Sequence, residues 1–166
     1  MLKIREIEVE DAEAYLSLYK ELNKETDFRL YEADEYNISV EQQKKIIQDM
    51  LHNKRSLLLV ADWDGTLVGY LFAEGREINR IKHRVHISVA ILQAYTRQGV
   101  GTKLFTALED WARKNHIHRL ELTVMANNEA GQALYKKMGY EVEGIKRDSL
   151  WVNGCYIDDI YMAKMI

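Results

Sequence analysis

The 166-residue sequence contains no proline and a single cysteine, Cys155. One cysteine cannot form a disulfide within the chain, so we expect Cys155 to be a structural residue of a strand or turn rather than a catalytic nucleophile. Average usage would give about eight prolines in a chain of this length.

The sequence also lacks an excess of positive charge and a long apolar run. It carries 23 Lys and Arg against 26 Asp and Glu, a net charge of −3, which argues against a nucleic-acid partner because such proteins present a strongly basic face. No apolar run approaches the ~20 residues of a membrane span, and residues 1–5 lack a signal peptide's apolar core. We therefore expect a cytoplasmic protein with neither a nucleic-acid nor a membrane partner.

Hydrophobic periodicity predicts one domain over residues 1–166, without linker or repeat. Candidate strands cover residues 2–8, 56–62, 66–75, 85–92 and 119–124, followed by a C-terminal hairpin around Asn153 and Gly154. Candidate helices cover residues 11–24, a segment after Ser39, a segment after a glycine-rich turn, and residues 129–138. This order indicates an α/β (α+β) fold with a mixed central sheet of about seven strands and flanking helices.

Two of the candidate helices have a face that we expect to be buried. Ser39 and Gln42 form a capping box that starts the second helix. Its apolar face comprises Ile46, Ile47, Met50 and Leu51. The helix after the glycine-rich turn is expected to bury Val100, Leu104, Leu108 and Trp111.

The most informative stretch is residues 94–104, which contains Gly99 and Gly101. It follows an apolar strand and leads into a helix, so its glycines let free main-chain N–H groups approach an anion such as a phosphate or pyrophosphate. It is not a dinucleotide fingerprint, which needs a third glycine where Leu104 stands, and the spacing does not fit a P-loop. Taken alone, the pattern is equally compatible with an ordinary strand-to-helix turn.

Over nearly its whole length the sequence resembles the GNAT superfamily of N-acetyltransferases. The resemblance is carried by the strand and glycine turn at 85–104, the stretch 128–140 and the order of the elements. Residues 144–162 are further similar to the branch that holds polyamine and ribosomal-protein N-acetyltransferases. The resemblance implies acetyl-CoA-dependent transfer of an acetyl group to a primary amine of a small cationic molecule or of a peptide or protein N-terminus. It also suggests a homodimer through the C-terminal strands.

In that superfamily the central strand splays from its neighbour and exposes main-chain groups to the pantetheine arm, which here implies Val89 and Ile91. Asn128 matches a position near the cofactor arm. The pyrophosphate is expected on the amides of Arg97, Gln98, Gly99, Val100, Gly101 and Thr102. Two residues depart from the pattern. Thr96 replaces an Arg or Gln, for which we expect a modest loss of phosphate binding, and Gly131 replaces an alanine, which costs roughly 1 kcal/mol of helix propensity.

Acetyl transfer requires a base, because an amine of pKa ~10 is mostly protonated at neutral pH. His86 falls where many relatives place a glutamate base, and histidine ordinarily titrates near pH 6.5. A buried structural histidine is an equally good reading, and Glu74 on the neighbouring strand competes for the role. Tyr135 matches a tyrosine close to the thioester sulfur and would act as the acid, unless it only packs in the core. The N–H of Val89 is the expected oxyanion donor.

The acidic segment 25–37 lies between the first two helices, with five carboxylates against Arg29 alone. The resemblance places it on the acceptor side, where Tyr31 and Glu32, together with Glu74, would contact a cationic acceptor. The competing reading is a solvated acidic loop.

No metal is expected. His116 and His118 lack further ligands and are better read as a solvated helix end. A non-catalytic acetyl-CoA-binding regulatory module is the alternative function. The presence of both His86 and Tyr135 favours an enzyme.

Overall fold

The computed structural model describes residues 1–166. Its seven strands are β1 Leu2–Glu6, β2 Leu57–Trp63, β3 Thr66–Gly75, β4 Arg84–Ile91, β5 Arg119–Met125, β6 Glu141–Val152 and β7 Cys155–Met165. Its four α-helices are α1 Ala12–Glu25, α2 Val40–His52, α3 Val100–Lys114 and α4 Glu129–Lys137, with short 3-10 turns at Val9–Asp11 and Gln93–Tyr95. The predicted order of helices and strands is confirmed.

The strands form one mixed sheet in the order β1-β2-β3-β4-β5-β7-β6. Only β4 and β5 pair in parallel, and every other neighbouring pair is antiparallel. The single-domain α/β fold with seven strands is therefore confirmed. The one parallel pair lies at the centre of the sheet, where α3 provides the crossover from β4 to β5.

Both faces of the sheet are covered, and β2 shows how the sequence achieves this. Successive strand residues point to opposite faces, so Leu57 and Leu59 join one apolar cluster while Leu58 and Val60 join the other. The first cluster packs the sheet against α3, and the second packs it against α1 and α2. β4 is the middle strand of this sheet, with one apolar cluster on each face, and the site described below is built along it.

The two-residue turns follow their sequence signals. Asp64 and Gly65 join β2 to β3, and Asn153 and Gly154 join β6 to β7. All four residues have positive φ angles, between 49° and 90°, as a type I′ hairpin turn requires. Cys155 is the first residue of β7, in agreement with its expected place in a strand or turn.

The predicted buried face of α2 is partly wrong. Its capping box is present, since the Ser39 hydroxyl accepts from the Gln42 N–H at 3.1 Å. However, Ile46 and Leu51 are 40% and 39% exposed, whereas Ile47 is fully buried. The helix packs along a narrow stripe in which Gln43, 1% exposed, takes a place that periodicity assigns to an apolar residue.

Two smaller predictions also change. Trp111 of α3 was expected to be buried and is half-buried at the edge of the first cluster. The first strand stops at Glu6 instead of residue 8 because a 3-10 turn begins at Val9. None of the four helices has the combination of length and apolar character needed to cross a membrane.

Candidate active site

β4 and β5 separate part-way along the sheet. They pair only over Arg84 to His86 of β4, although β4 continues to Ile91 and β5 to Met125. On its other edge β4 remains paired with β3 as far as Ile91. The edge of β4 that faces β5 is therefore open beyond His86, and we call this gap the β4–β5 opening.

The main-chain groups of Val89 and Ile91 point into this opening. Alternate residues of an antiparallel strand direct their N–H and C=O groups to the same side. The Leu92 N–H donates to a β3 carbonyl at 2.8 Å, so the even-numbered residues face β3. The His83 carbonyl accepts from the Arg119 N–H of β5 at 3.0 Å, so the odd-numbered residues face β5. Two independent bonds thus give the same orientation, and in the opening no β5 partner meets these groups.

The turn after β4 presents a run of unpaired donors. None of the main-chain N–H groups of residues 97–102 has an acceptor within the protein, because the first helical bond runs from the Lys103 N–H to the Gly99 carbonyl at 3.0 Å. Arg97 and Gly99 adopt positive φ angles of 60° and 82°, which turn the chain into the helix. Consecutive amides in such a turn, at the positive end of the helix dipole, form an anion-binding surface.

Gly99 and Gly101 serve different purposes. A side chain at Gly99 would meet nothing within 4 Å, so its positive φ is what favours glycine there. At Gly101 a Cβ would lie 2.9 Å from Cδ2 of Leu134 and 3.4 Å from Cδ1 of Ile91. Gly101 therefore also allows α3 to pack closely against Leu134 of α4.

The side chains of this turn mostly serve the turn itself. The Thr96 hydroxyl donates to the Gln93 carbonyl at 2.8 Å, and the Gln98 amide donates to the Ala94 carbonyl at 2.9 Å. The main-chain amides of the turn remain free as donors to an anion.

Asn128 begins α4 across the opening from this turn. Its Oδ1 accepts from the Gly131 N–H at 2.9 Å, which makes it the N-cap. A Cβ at residue 131 would lie 2.6 Å from Nδ2 of Asn128. Gly131 therefore leaves room for the Asn128 side chain to fold over the helix end, and Nδ2 has no partner in the protein.

Tyr135 of α4 is 8% exposed and packs edge-on against Phe105, with ring centroids 5.8 Å apart. Burial raises its pKa to about 12, with a smaller contribution from Tyr70. Its hydroxyl makes no hydrogen bond within the protein. The Tyr140 hydroxyl is the only side-chain polar atom that is both sealed from solvent and without a partner, so the Tyr135 hydroxyl is in contact with solvent. Tyr135 is thus a core residue whose protonated hydroxyl remains accessible.

His86 is exposed on the opposite face of β4 from the buried Val85 and Ile87. The reading of His86 as a buried structural histidine is therefore wrong. Its strand partners are Glu74 on β3 and Glu121 on β5, and the three side chains line one cavity of about 200 Å³. His86 is the last β4 residue paired with β5, so it stands at the entrance to the opening.

The segment between α1 and α2 contributes to a tyrosine cluster on this face. The cluster comprises Tyr15, Tyr19, Tyr31, Tyr36 and Tyr70, whose neighbouring ring centroids lie 4.5–6.4 Å apart. Sequence reasoning identified Tyr31 but missed Tyr70, because a tyrosine inside an apolar strand reads as a core residue.

A groove of about 270 Å³ lies between this segment and the tip of the β6–β7 hairpin, and we call it the acceptor groove because two of the predicted acceptor residues line it. Tyr31, Glu32 and Trp151 are among its lining residues, and the Asn153 amide closes one end by donating to Asp27 at 2.9 Å. Glu74 lines the cavity of His86 instead. The three predicted acceptor residues are therefore divided between two sites.

The histidines after α3 are not part of either site. Nδ1 of His118 lies 3.0 Å from the carbonyl oxygen of Ile166, which ties it to the end of the chain. No group of three or more His, Cys, Asp or Glu side chains is arranged to hold a metal ion.

The family model of acetyltransferase (GNAT) domains matches residues 4–161. The chain belongs to the GNAT acetyltransferase family. It is 25% identical to the spermidine N(1)-acetyltransferase of Escherichia coli K12 over 163 residues, 98% of this chain and 84% of that protein. It is 32% identical to the L-amino acid N-acetyltransferase AaaT of the same organism over 111 residues, 64% of this chain and 67% of that protein.

The fold has a close counterpart among solved GNAT structures. A GNAT-family acetyltransferase from Streptococcus pneumoniae matches with a TM-score of 0.94 and 27% identity, over 100% of this chain and 99% of that one. The predicted family, fold and N-acetyltransferase activity are thereby confirmed. The GNAT domain is an acetyl-CoA-dependent enzyme, and none of these relatives supports the alternative of a non-catalytic module.

Proposed function

We propose that acetyl-CoA binds in the β4–β5 opening, with its pantetheine arm on the main-chain groups of Val89 and Ile91 and its pyrophosphate on the amides of residues 97–102. The observation that carries this assignment is the run of six consecutive unpaired N–H groups beside an unpaired strand edge. Asn128 offers the free Nδ2 donor near the arm. Bound there, acetyl-CoA supplies a thioester carbonyl carbon as the electrophile.

The acceptor amine must lose a proton before attack, since at pKa ~10 it is mostly an ammonium ion. We assign the proton acceptor to the cavity of His86, with Glu74 as the competing base. Ser88 comes next on this face of β4, one pleat closer to the opening, and the proton passes to either side chain directly or through water. The Val89 N–H, which points into the opening, stabilises the oxyanion.

The departing thiolate needs a donor, and Tyr135 is assigned to that role. With a pKa of about 12, its hydroxyl stays protonated at neutral pH. A phenol of this pKa is a weaker acid than a thiol of pKa ~8.5. Tyr135 therefore stabilises the sulfur by donating a hydrogen bond instead of completing a proton transfer to it.

The acceptor is a primary amine of a small cationic molecule or of a peptide or protein N-terminus, and it enters through the acceptor groove. Glu32 and Tyr31 line that groove, and the relatives named above act on spermidine and on L-amino acids. The test is a panel of polyamines, amino acids and peptides mixed with acetyl-CoA, with free thiol followed over time. Absence of thiol release above the rate of hydrolysis across the panel would overturn the proposal.

A homodimer through the C-terminal strands accompanies this function. β6 is an edge strand, and its Val142 and Ile145 are 53% and 61% exposed. An edge strand with exposed apolar side chains favours pairing with another chain. Light scattering on the purified protein tests this: a monomer mass at micromolar concentration would contradict it.

A further inference from the structure

We propose that Arg29 determines acceptor specificity by binding a carboxylate of the acceptor. The acceptor class is then an amine that carries a carboxylate a few bonds from its nitrogen, as an amino acid does. This inference rests on the proposed function and narrows it.

Arg29 is held rigidly in the tyrosine cluster. Its Nε donates to Oδ1 of Asn23 at 2.7 Å, and one terminal nitrogen donates to the Tyr70 hydroxyl at 2.9 Å. Its guanidinium carbon lies 4.5 Å from the ring centroid of Tyr19 and 5.4 Å from that of Tyr70. Asn23 is only 4% exposed, so α1 holds a buried amide in place to orient this guanidinium.

Arg29 lacks an anionic partner. The segment 25–37 contains five carboxylates, yet no carboxylate of the protein lies within 4.0 Å of Arg29. A guanidinium has five N–H donors in a planar fork, and two of those in Arg29 are used within the protein. The remaining donors suit a carboxylate, which a guanidinium binds in bidentate fashion.

Arg29 lines the acceptor groove and is the only basic residue among its lining residues. Of the two acidic lining residues, Asp27 is engaged by Asn153. Glu32 also lines the groove but makes no ion pair with Arg29. The groove therefore offers the Arg29 guanidinium to an anionic group of the acceptor, and Glu32 is available to a cationic group at the acceptor's other end.

Arg29 is also connected, through Tyr70, to the strand that borders the opening. Tyr70, to which it is hydrogen-bonded, pairs with Ala90 in the stretch of β4 that borders the opening. Tyr70 and Ala90 belong to the apolar cluster on the α1–α2 face of the sheet. An amine a few bonds from a carboxylate on Arg29 therefore lies on this face, beside the part of β4 that borders the opening.

The competing role for Arg29 is structural: it would only tie the segment 26–36 to α1 and β3. The two roles differ in one measurable quantity. A structural role affects all acceptors alike, whereas a carboxylate-binding role affects an acid and its carboxamide differently.

The experiment measures kcat/KM for an L-amino acid and for its primary amide, at saturating acetyl-CoA, with the wild type, Arg29→Gln and Arg29→Lys. Arg80→Gln is the control, because Arg80 is exposed on the β3–β4 connection and makes no hydrogen bond or ion pair through its side chain. The ratio of acid to amide is compared between variants, so the different basicities of the two amines cancel. Since a hydrogen bond to a charged group typically changes binding by about tenfold to a hundredfold, Arg29→Gln is expected to lower this ratio about tenfold or more, and Arg29→Lys to lower it less. Arg80→Gln leaves the ratio unchanged.

Calorimetry with the N-acetylated amino acid and its amide measures the same preference without turnover. Tighter binding of the acid that Arg29→Gln abolishes supports the inference even if no amine is acetylated, in which case the proposed function alone fails. Conversely, thiol release with an acid-to-amide ratio that is the same in wild type and Arg29→Gln overturns the inference and leaves the proposed function intact.

Discussion

The cofactor side and the acceptor side of this protein are built in different ways. On the cofactor side, the proposed contacts are main-chain groups of one continuous stretch, from Val89 to Thr102, whose geometry is set by an open strand edge and a left-handed glycine. On the acceptor side, they are side chains brought together from α1, the α1–α2 segment, β3 and the β6–β7 turn.

This difference determines which substitutions each side tolerates. Main-chain donors are the same for every residue type except proline, so the cofactor side tolerates substitutions such as Thr96 as long as the turn keeps its shape. An exposed side chain such as Glu32 can change without disturbing the fold. The choice of acceptor therefore depends on residues that the cofactor-binding motif does not specify.

The largest expected effect is at the entrance to the opening. His86→Gln removes an imidazole base and is expected to lower kcat/KM about a hundredfold at pH 7, within the usual contribution of a general base. Because the base acts in its unprotonated form, wild-type kcat/KM should fall toward acid pH, and the variant should lose that acid limb. Glu74→Gln is the matched comparison: if it removes the limb and His86→Gln does not, Glu74 is the base.

Tyr135→Phe is expected to lower kcat about thirtyfold with little change in acetyl-CoA affinity, because the hydroxyl acts on the departing sulfur and a hydrogen bond to a charged group is worth ~1.5–3 kcal/mol. Since the Tyr135 pKa is about 12, its hydroxyl stays protonated up to that pH and produces no alkaline limb below pH 10. Steady-state kinetics and calorimetry measure both quantities.

Tyr140→Phe is the control for this substitution, because the Tyr140 hydroxyl is buried and has no partner. It should leave kcat unchanged and not reduce stability. Loss of affinity without loss of kcat in Tyr135→Phe would show that Tyr135 only packs the core.

Gly99→Ala tests the main-chain character of the cofactor side. An L-residue at its φ of 82° costs ~1–2 kcal/mol, and relaxation of that strain moves the neighbouring amides, so acetyl-CoA affinity should fall about tenfold. Gly65→Ala is the control, because Gly65 has a φ of 90° and, like Gly99, nothing within 4 Å of an added Cβ. It should lose similar stability but keep its affinity. Equal affinities in the two variants would count against the proposed cofactor site.

The smallest expected effect is at Glu32. Glu32→Gln should raise KM for a cationic acceptor such as spermidine about twofold to threefold at low ionic strength, and the difference should shrink as salt screens the charge. If the KM of Glu32→Gln equalled that of the wild type at every salt concentration, the acidic segment would be a solvated loop with no part in acceptor binding.

Most of the fold could be predicted from the sequence because its signals are local. Strand alternation, the Ser39 capping box and the Asn-Gly turn each act within a few residues. The exposure of Ile46 and Leu51 could not be predicted, because it depends on how α2 is seated on its neighbours. Gly101 illustrates the same limit, since its contact is with Leu134 on another helix.

In the candidate site too, the features that lie within one short stretch could be predicted, and those that depend on distant residues could not. The residues proposed to bind the pyrophosphate could be named from the sequence because a glycine turn after a strand is visible in one short stretch. The contacts of Arg29 were not predicted, because Tyr19 and Asn23 lie on α1, Tyr70 lies on β3, and none of the three belongs to a recognisable motif.

The measurement that tests the central claim most directly is a titration of the 15N-labelled protein with CoA, which binds without turnover, followed by amide NMR. The account predicts that the amide signals of residues 97–102, together with those of Val89 and Ile91, show the largest shifts. Unchanged signals at these positions at saturating CoA, or large shifts confined to another part of the sheet, would contradict it.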